Sequence, residues 1–344
     1  MKDDRYWHCL DQAIEASDGG HTEEAMAWLD EALKENPNGA EAHNQRGQIL
    51  WDEGKIDEAL YEFELATLAD PKFATAYLNR AELLIEELGE YEEASRLCDR
   101  LLAGSPELPR LDRGLEAEIH YLKSKACFYQ EDLEGALFLV RRGLQCGGDQ
   151  AISLAFEGQI LLELGRFDEA HGRLERAVAV DPDSAHALYH HALVLERLGE
   201  DAAAESYFER ADGIDPKHYP RPVRLDEGLF EAAAREAIDE LPRSIREYVA
   251  NVPVLIEDFP SAELVALERV SPQILGIFIG TPRTEASPSH DAPGIDRVIL
   301  FKRNLEKACR DEEELVDQIQ ITVKHEIGHY LGLDESDLER LGLA

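Results

Sequence analysis

The sequence predicts an array of antiparallel helix pairs followed by a small α+β domain. Three observations lead to this fold class. A phrase that ends in proline recurs at a fixed interval over the first two-thirds of the chain, short alternating apolar segments follow it, and a helix near the end carries two histidines one turn apart. We therefore expect two domains, one at 1–218 and one at 219–344.

The proline spacing defines a repeat. Pro37 and Pro71 are 34 residues apart, and so are Pro182 and Pro216. Each proline ends a similar phrase: EALKENP, LATLADP, RAVAVDP and RADGIDP. A proline stops a helix because it has no amide hydrogen and its ring clashes with the preceding turn. We therefore expect every unit to end with a helix.

Small residues stand at fixed offsets before these prolines. In the second unit they are Gly47, Ala59 and Ala66, with the larger Leu50 and Phe63 between them. Small side chains let two antiparallel helices approach closely, and the large ones fill the space that remains. A helix–turn–helix unit of this length and pattern resembles the tetratricopeptide repeat.

Six such units are predicted. They cover 6–39, 40–73, 74–108, 115–148, 151–184 and 185–218. The resemblance implies a helical solenoid whose stacked units expose a concave groove. We expect this groove to bind a protein or peptide partner, and the alternative is a scaffold that only holds or blocks the next domain. His186 and His190 are one turn apart in the sixth unit, but the helix faces of a repeat explain them without a metal.

Charge narrows the classes of partner. The 344 residues carry a formal net charge of −37, and 44% of them are hydrophobic. Nucleic acids and anionic membranes attract positive surfaces, so neither is an expected partner. Basic peptides or proteins fit this charge better, although an acidic soluble surface explains it as well.

The location is predicted from what the chain lacks. Its first residues contain no apolar signal-peptide segment, and no stretch reaches the ~18 apolar residues of a membrane span. The cysteines are Cys9, Cys98, Cys127, Cys146 and Cys309. They are widely spaced and form no CxxC pair, which is typical of a reducing compartment. We therefore expect the protein to be located in the cytoplasm.

A different pattern follows the repeats. Helices are predicted over 225–241 and 244–249, and strands over 252–257, 273–280 and 297–302. A polar loop is predicted over 281–296. A long helix is predicted over 312–331, with Asp311 as its N-cap and Gly332 as the residue that ends it.

This long helix contains the run His325-Glu326-Ile327-Gly328-His329. Histidines four positions apart lie on one helix face, so both imidazoles can bind a single Zn²⁺. Glu326 follows the first histidine and is placed to act as general base toward the attacking water. The run matches the HExxH motif of zinc peptidases.

Two carboxylates follow the turn at Gly332. Glu335, ten residues after His325, is the predicted third zinc ligand, and Asp334 is its substitute. A glycine in the left-handed conformation lets the chain swing back toward the metal. Because only 15 residues follow the second histidine, we expect a local ligand. His290 in the polar loop is the alternative.

A family resemblance runs through residues 225–344. Its segments are NVPVLIEDFPS, ILGIFIGTPRTEAS, DRVILFKRNLEKAC and ITVKHEIGHYLGLDE. They resemble the bacterial minimal zincin-like metallopeptidase domains, which implies a compact fold, one zinc ion and proteolysis. The family often has aspartate at the third-ligand position, where this chain has Glu335.

The predicted function is therefore a zinc-dependent metallopeptidase whose repeats recruit or position a protein partner or substrate. His325, His329 and Glu335 would hold the zinc ion, and Glu326 would be the catalytic base. The strand edge Val298–Lys302 is the predicted site of pairing with an extended substrate. The alternative is a non-catalytic interaction protein with a structural or regulatory metal site.

Overall fold

The computed structural model describes residues 2–268, 270–280, 296–334, 336–337 and 340. The chain forms two compact units, Met1–Ile160 and Leu161–Ala344. The division falls inside a helix of the repeats and reflects packing alone. The predicted domain boundary between residues 218 and 219 stays a prediction.

Unit 1 consists of helices that pack as antiparallel pairs. They are α1 (Lys2–Asp18), α2 (Thr22–Glu35), α3 (Ala40–Asp52), α4 (Ile56–Ala69), α5 (Ala74–Glu86), α6 (Tyr91–Ala103), α7 (Arg113–Tyr129), α8 (Leu133–Cys146) and most of α9 (Gln150–Glu163). Each predicted repeat in this unit corresponds to one pair, and the fourth repeat forms its pair from α7 and α8.

Unit 2 contains the last repeat helices and the α+β region. The repeat helices are α10 (Phe167–Val180), α11 (Ala185–Arg197) and α12 (Asp201–Ile214). The later helices are α13 (Glu227–Asp239), α14 (Arg243–Val249), α15 (Ala262–Glu268), α16 (Lys302–Ala308) and α17 (Glu312–Leu331). The strands are β1 (Val254–Glu257), β2 (Gly276–Ile279) and β3 (Arg297–Phe301). The short helices α15 and α16 were not predicted.

The second repeat shows why small residues recur in the array. A methyl group on Gly47 of α3 would lie only 2.6 Å from Cε1 of Phe63 on α4. Phe63 is fully buried, as are Ala59 and Ala66. The missing side chain at Gly47 thus makes the room that the aromatic ring fills. The predicted repeat packing is confirmed.

The three strands form one mixed sheet in the order β1-β3-β2. β1 pairs with β3 in parallel, with Val254 opposite Val298. β2 pairs with β3 in antiparallel fashion, with Gly276 opposite Leu300. β3 is therefore central and paired on both sides. The prediction that Val298–Lys302 is a free edge was wrong, and Lys302 already belongs to α16.

The core of the α+β region lies between the sheet and its helices. α17 packs against α13 and across β2 and β3. The cluster includes buried Phe230, Val298, Leu300, Ile319 and Val323. Burying large apolar side chains from both layers stabilises this arrangement. In the part of the chain that is described, no helix has the length and apolar character needed to cross a membrane.

Candidate metal centre

Helix α17 carries the candidate site, and both of its ends follow the prediction. The Asp311 carboxylate accepts a 2.9 Å hydrogen bond from the Glu314 amide and caps the first turn. Gly332 ends the helix with φ at 86°, and the Leu333 amide donates to the Gly328 carbonyl oxygen at 3.0 Å. Glycine takes this left-handed conformation without the steric cost that a side chain brings.

The turn at Gly332 also orients the second histidine. His329 Nδ1 lies 3.3 Å from the Leu333 carbonyl oxygen. A carbonyl oxygen can only accept, so Nδ1 is the donor in this contact, and in a neutral ring Nε2 would then present a lone pair. That lone pair faces His325, since the two Nε2 atoms are 3.0 Å apart. A backbone carbonyl behind the ring is a usual orienting partner of a metal-binding histidine.

The histidine pair fits a shared metal ion. Two nitrogens that bind Zn²⁺ tetrahedrally at about 2.0–2.1 Å lie ~3.3 Å from each other. The observed 3.0 Å between His325 and His329 is within a few tenths of an ångström of that separation. A small rotation of either ring would complete the fit.

The predicted Glu335 and the alternative His290 both lie outside the described residues. Among the residues that are described, no three His, Cys, Asp or Glu side chains are grouped to hold a metal ion. The ligand set of His325, His329 and Glu335 therefore stays a prediction.

The carboxylate of Asp334, the predicted substitute ligand, accepts hydrogen bonds from the residues that follow it in the chain. Its Oδ1 accepts hydrogen bonds from Ser336 Oγ at 2.8 Å and from the Asp337 amide at 2.9 Å. The hydrogen bond from the Ser336 hydroxyl lowers the pKa of this exposed carboxyl most, and the one from the Asp337 amide lowers it further. The carboxylate thus caps the residues that follow it.

The side chain of Glu326 lies on the face of α17 that packs against the sheet, and 7% of the residue's surface is exposed. A methyl group on Gly276, the first residue of β2, would lie 3.3 Å from Glu326 Cγ and 2.8 Å from Thr322 Cγ2. The lack of a side chain at Gly276 therefore lets β2 lie directly against α17. Sequence reasoning missed this residue, although a glycine that opens the apolar run GIFI was an available signal.

Three family models match parts of the chain. A tetratricopeptide repeat model matches residues 10–72 and 157–219, and a second one matches 50–125. A model described as zincin-like metallopeptidase matches residues 249–343. The chain thus carries tetratricopeptide repeats within 10–219 and a zincin-like domain at its C-terminal end.

The individual proteins that resemble this chain have low sequence identity to it. Human protein O-mannosyl-transferase TMTC3 is 28% identical over 195 residues, which are 54% of this chain and 21% of that protein. Cellulose synthase operon protein C from Xanthomonas axonopodis pv. citri (strain 306) is 27% identical over 214 residues, which are 60% of this chain and 14% of that protein. The chain spans only a small part of the length of these relatives.

Solved structures show the fold of the repeats. PilW, a type IV pilus biogenesis factor, has a TM-score of 0.53 at 20% identity, covering 62% of this chain and 94% of PilW. Pseudomonas aeruginosa pilF has a TM-score of 0.52 at 17% identity, covering 67% of this chain and 98% of pilF. At such identities the likeness concerns fold alone.

The protein is therefore a helical repeat array fused to a zincin-like domain. The zincin-like match indicates a peptidase family in which zinc is the expected ion. Tetratricopeptide repeats imply the binding of a protein or peptide partner.

Proposed function

We propose that this protein is a zinc-dependent peptidase whose repeats bind a protein or peptide partner. The observation that carries the proposal is the 3.0 Å approach of His325 Nε2 to His329 Nε2 on one helix, with buried Glu326 on that helix. The zincin-like match around them supports it. His325, His329 and Glu335 would hold one Zn²⁺.

The reaction would be hydrolysis of a peptide bond. Bound zinc would polarise the scissile carbonyl and make the attacking water more acidic. Glu326 would take a proton from that water as its oxygen adds to the carbonyl carbon. When the C–N bond breaks, Glu326 would give the proton to the leaving amine. The low exposure of Glu326 would shield this transfer from bulk water.

The outer edge of β2 is the proposed substrate-binding strand, in place of Val298–Lys302. Among the described strands β2 pairs only with β3. Its first residue, Gly276, lies against Glu326. An extended peptide that pairs with this edge would gain main-chain hydrogen bonds and bring one of its peptide bonds toward the carboxylate.

The third ligand is proposed to be Glu335 rather than Asp334. The Asp334 carboxylate already accepts hydrogen bonds from Ser336 and Asp337. Turning it toward the histidines would break both bonds and leave the two donors without this acceptor. Glu335→Ala should therefore weaken zinc binding more than Asp334→Ala does, and the opposite order would exchange their roles.

A cavity in unit 1 is the proposed contact for a basic side chain of the partner. It has a volume of about 330 Å³ and lies among α5, α7 and α9. Carboxylates and apolar groups line it together: Glu82, Glu118, Asp149, Leu78, Tyr121 and Ile152. Burial raises the pKa of Glu82, so its negative charge lacks full compensation. A lysine or arginine would place its apolar stem on the walls and its cation near these carboxylates.

Metal analysis and a peptidase assay on the full-length protein test the enzymatic proposal. Wild type should contain one zinc ion per chain, and His325→Ala should lose it. Glu326→Gln should keep the zinc but hydrolyse peptides about 10²–10⁴-fold more slowly, because only the base is removed.

Equal hydrolysis by wild type and Glu326→Gln would refute this mechanism. A zinc-containing protein that unfolds on chelation and cleaves no peptide would instead favour the non-catalytic interaction protein.

Peptide binding tests the cavity. Lysine-rich and glutamate-rich peptides of equal length serve as probes, and only the lysine-rich one should bind. Glu82→Gln should weaken that binding about fivefold or more at low salt, whereas Glu175→Gln on the exposed surface of α10 should not. Equal effects of the two substitutions would assign the binding to net charge alone.

A further inference from the structure

The segment 271–275, which leads into β2, is held by a side chain of the repeats. Arg197, the last residue of α11, donates from Nη2 to the Pro272 carbonyl oxygen and to Asn304 Oδ1, the latter at 3.2 Å. Asn304 is buried in α16 and donates to the same carbonyl at 3.0 Å and to the Ile274 carbonyl at 2.7 Å. The position of this segment thus depends on Arg197 directly and through Asn304.

A second repeat side chain holds the same segment. Glu163, the last residue of α9, accepts hydrogen bonds from Ser271 Oγ at 2.8 Å and from Gln273 Nε2. Burial raises the pKa of Glu163, and the two donors oppose that shift. Removing the carboxylate would leave both donors without their acceptor.

Arg197 lies at one particular end of the sheet. β1 and β3 are parallel and β2 is antiparallel, so this end holds the last residues of β1 and β3 and the first residue of β2. Arg197 Cζ also lies 4.1 Å from the centroid of the Phe259 ring, just after β1. Arg197 therefore contacts the segment that follows β1, the segment that precedes β2, and helix α16, which follows β3.

Arg197 reaches this end of the sheet from a helix that is itself held by buried ion pairs. Glu196, its neighbour on α11, is 4% exposed and accepts from Arg224 at 2.7 Å and from Lys307 at 2.9 Å. The other arm of Arg224 donates to Glu306, which is 1% exposed, at 2.9 Å. Buried pairs with several hydrogen bonds tolerate little displacement, since separating them leaves a buried charge without its partner.

The same end of the sheet borders the candidate site, because Gly276 of β2 lies against Glu326. Burial lowers the pKa of Arg197 to about 10, so its guanidinium remains charged at neutral pH. A charged donor to a buried backbone carbonyl makes a stronger hydrogen bond than a neutral one. Loss of Arg197 would therefore loosen the start of β2 next to Glu326.

We propose that Arg197 and Glu163 are positioning residues of the peptidase site, which makes the last repeats a structural part of that site. The inference rests on the proposed function. Through the segment 271–275 these two side chains hold β2 against α17. Substrate pairing at β2 then requires the repeats even when the partner is bound elsewhere on the array.

Hydrogen exchange and peptidase kinetics on full-length variants test this proposal. Arg197→Gln and Glu163→Ala should speed amide exchange in Gly276–Ile279 about tenfold or more, because each loses hydrogen bonds that involve a charged group. The KM for a peptide substrate should rise about tenfold while kcat changes by about twofold or less, since Glu326 and the histidines are untouched. Zinc content should stay that of wild type.

Arg210→Gln is the matched control. Arg210 also donates to a backbone carbonyl, that of Pro182 at 2.9 Å, but within the repeats. In the Arg210→Gln variant, the rate of amide exchange in β2 and the KM for the peptide substrate should equal those of wild type. If Arg197→Gln fails to fold, Arg197→Lys keeps the charge near Phe259, loses part of the hydrogen bonding and should give an intermediate effect.

Wild-type exchange and wild-type KM in every foldable Arg197 variant would overturn the proposal. If wild type cleaves no peptide, the proposed function fails by itself. The exchange measurement on β2 then decides alone whether the repeats hold this strand.

Discussion

Replacing Gly276 by alanine should weaken the packing of α17 on the sheet. The new methyl carbon would lie 2.8 Å from Thr322 Cγ2, 3.2 Å from the Ile299 carbonyl oxygen and 3.3 Å from Glu326 Cγ. Carbon atoms pack at about 3.5–4.0 Å, so helix and strand must separate by roughly 0.7 Å. Overpacking of this kind costs about 1–3 kcal/mol of the free energy of unfolding.

Two further substitutions isolate the cause. Thr322→Ser removes the methyl group that is closest to the new carbon and keeps the hydroxyl that donates to the Gln318 carbonyl at 2.8 Å. Combined with Gly276→Ala, it should recover about 1 kcal/mol, and the recovery is partial because the other two contacts remain. Gly213→Ala on α12 makes the same change where no atom lies within 4 Å, and it should stabilise by about 0.5–1 kcal/mol.

Urea unfolding followed by circular dichroism should report the loss and the partial recovery of the free energy of unfolding. All three tryptophans, Trp7, Trp28 and Trp51, lie in unit 1, so tryptophan fluorescence does not report directly on α17. Hydrogen exchange in α17 should be faster in Gly276→Ala and should slow again in the double variant. The peptidase rate should fall with it, because Glu326 moves with the helix.

Wild-type exchange in Gly276→Ala would refute the packing argument. Strict additivity of Gly276→Ala and Thr322→Ser would refute it too, since two atoms that collide must show coupling.

Three other predictions follow from contacts in unit 2. Asp311→Ala removes the N-cap of α17 and should cost about 1 kcal/mol, seen as faster exchange in its first turn. Glu196→Ala removes the acceptor of the buried Lys307 and one of the acceptors of Arg224, and it should destabilise unit 2 by about 3–5 kcal/mol in urea unfolding followed by circular dichroism. Burial lowers the pKa of His191 from 6.5 to about 4. Between these two pH values the unfolded chain binds a proton at this histidine and the folded chain does not. The free energy of unfolding therefore falls as the pH drops from 6.5 to about 4. His191→Gln should remove up to about 3 kcal/mol of that loss, measured by urea unfolding at about pH 7 and pH 4.5.

Much of this fold could be predicted because its signals are local. The proline spacing and the small residues such as Gly47 act within one helix pair, so each repeat carries its own signal. The helix 312–331 was predicted with its correct limits, because Asp311 and Gly332 cap it through their immediate neighbours. The facing of His325 and His329 follows from helix geometry alone.

Strand order could not be predicted in the same way. Each strand of the α+β region is a short apolar run, and nothing within a run says which neighbour it will pair with. Val298–Lys302 was therefore assigned to an edge, although β3 lies between β1 and β2. The two short helices α15 and α16 were missed because seven residues carry too little periodic signal.

The sequence by itself determined the repeat array, the capped helix and the spacing of the candidate zinc ligands, since each depends on residues within a turn or a repeat of one another. Only the tertiary structure decided that β2 is the strand beside Glu326, that Gly276 makes this approach sterically feasible, and that Arg197 of the repeats donates to the segment that leads into β2. These features join residues that are 50 to 75 positions apart, as Gly276 and Glu326 or Arg197 and Pro272 are. Contacts over such distances depend on how the elements pack, and local pattern does not encode that packing.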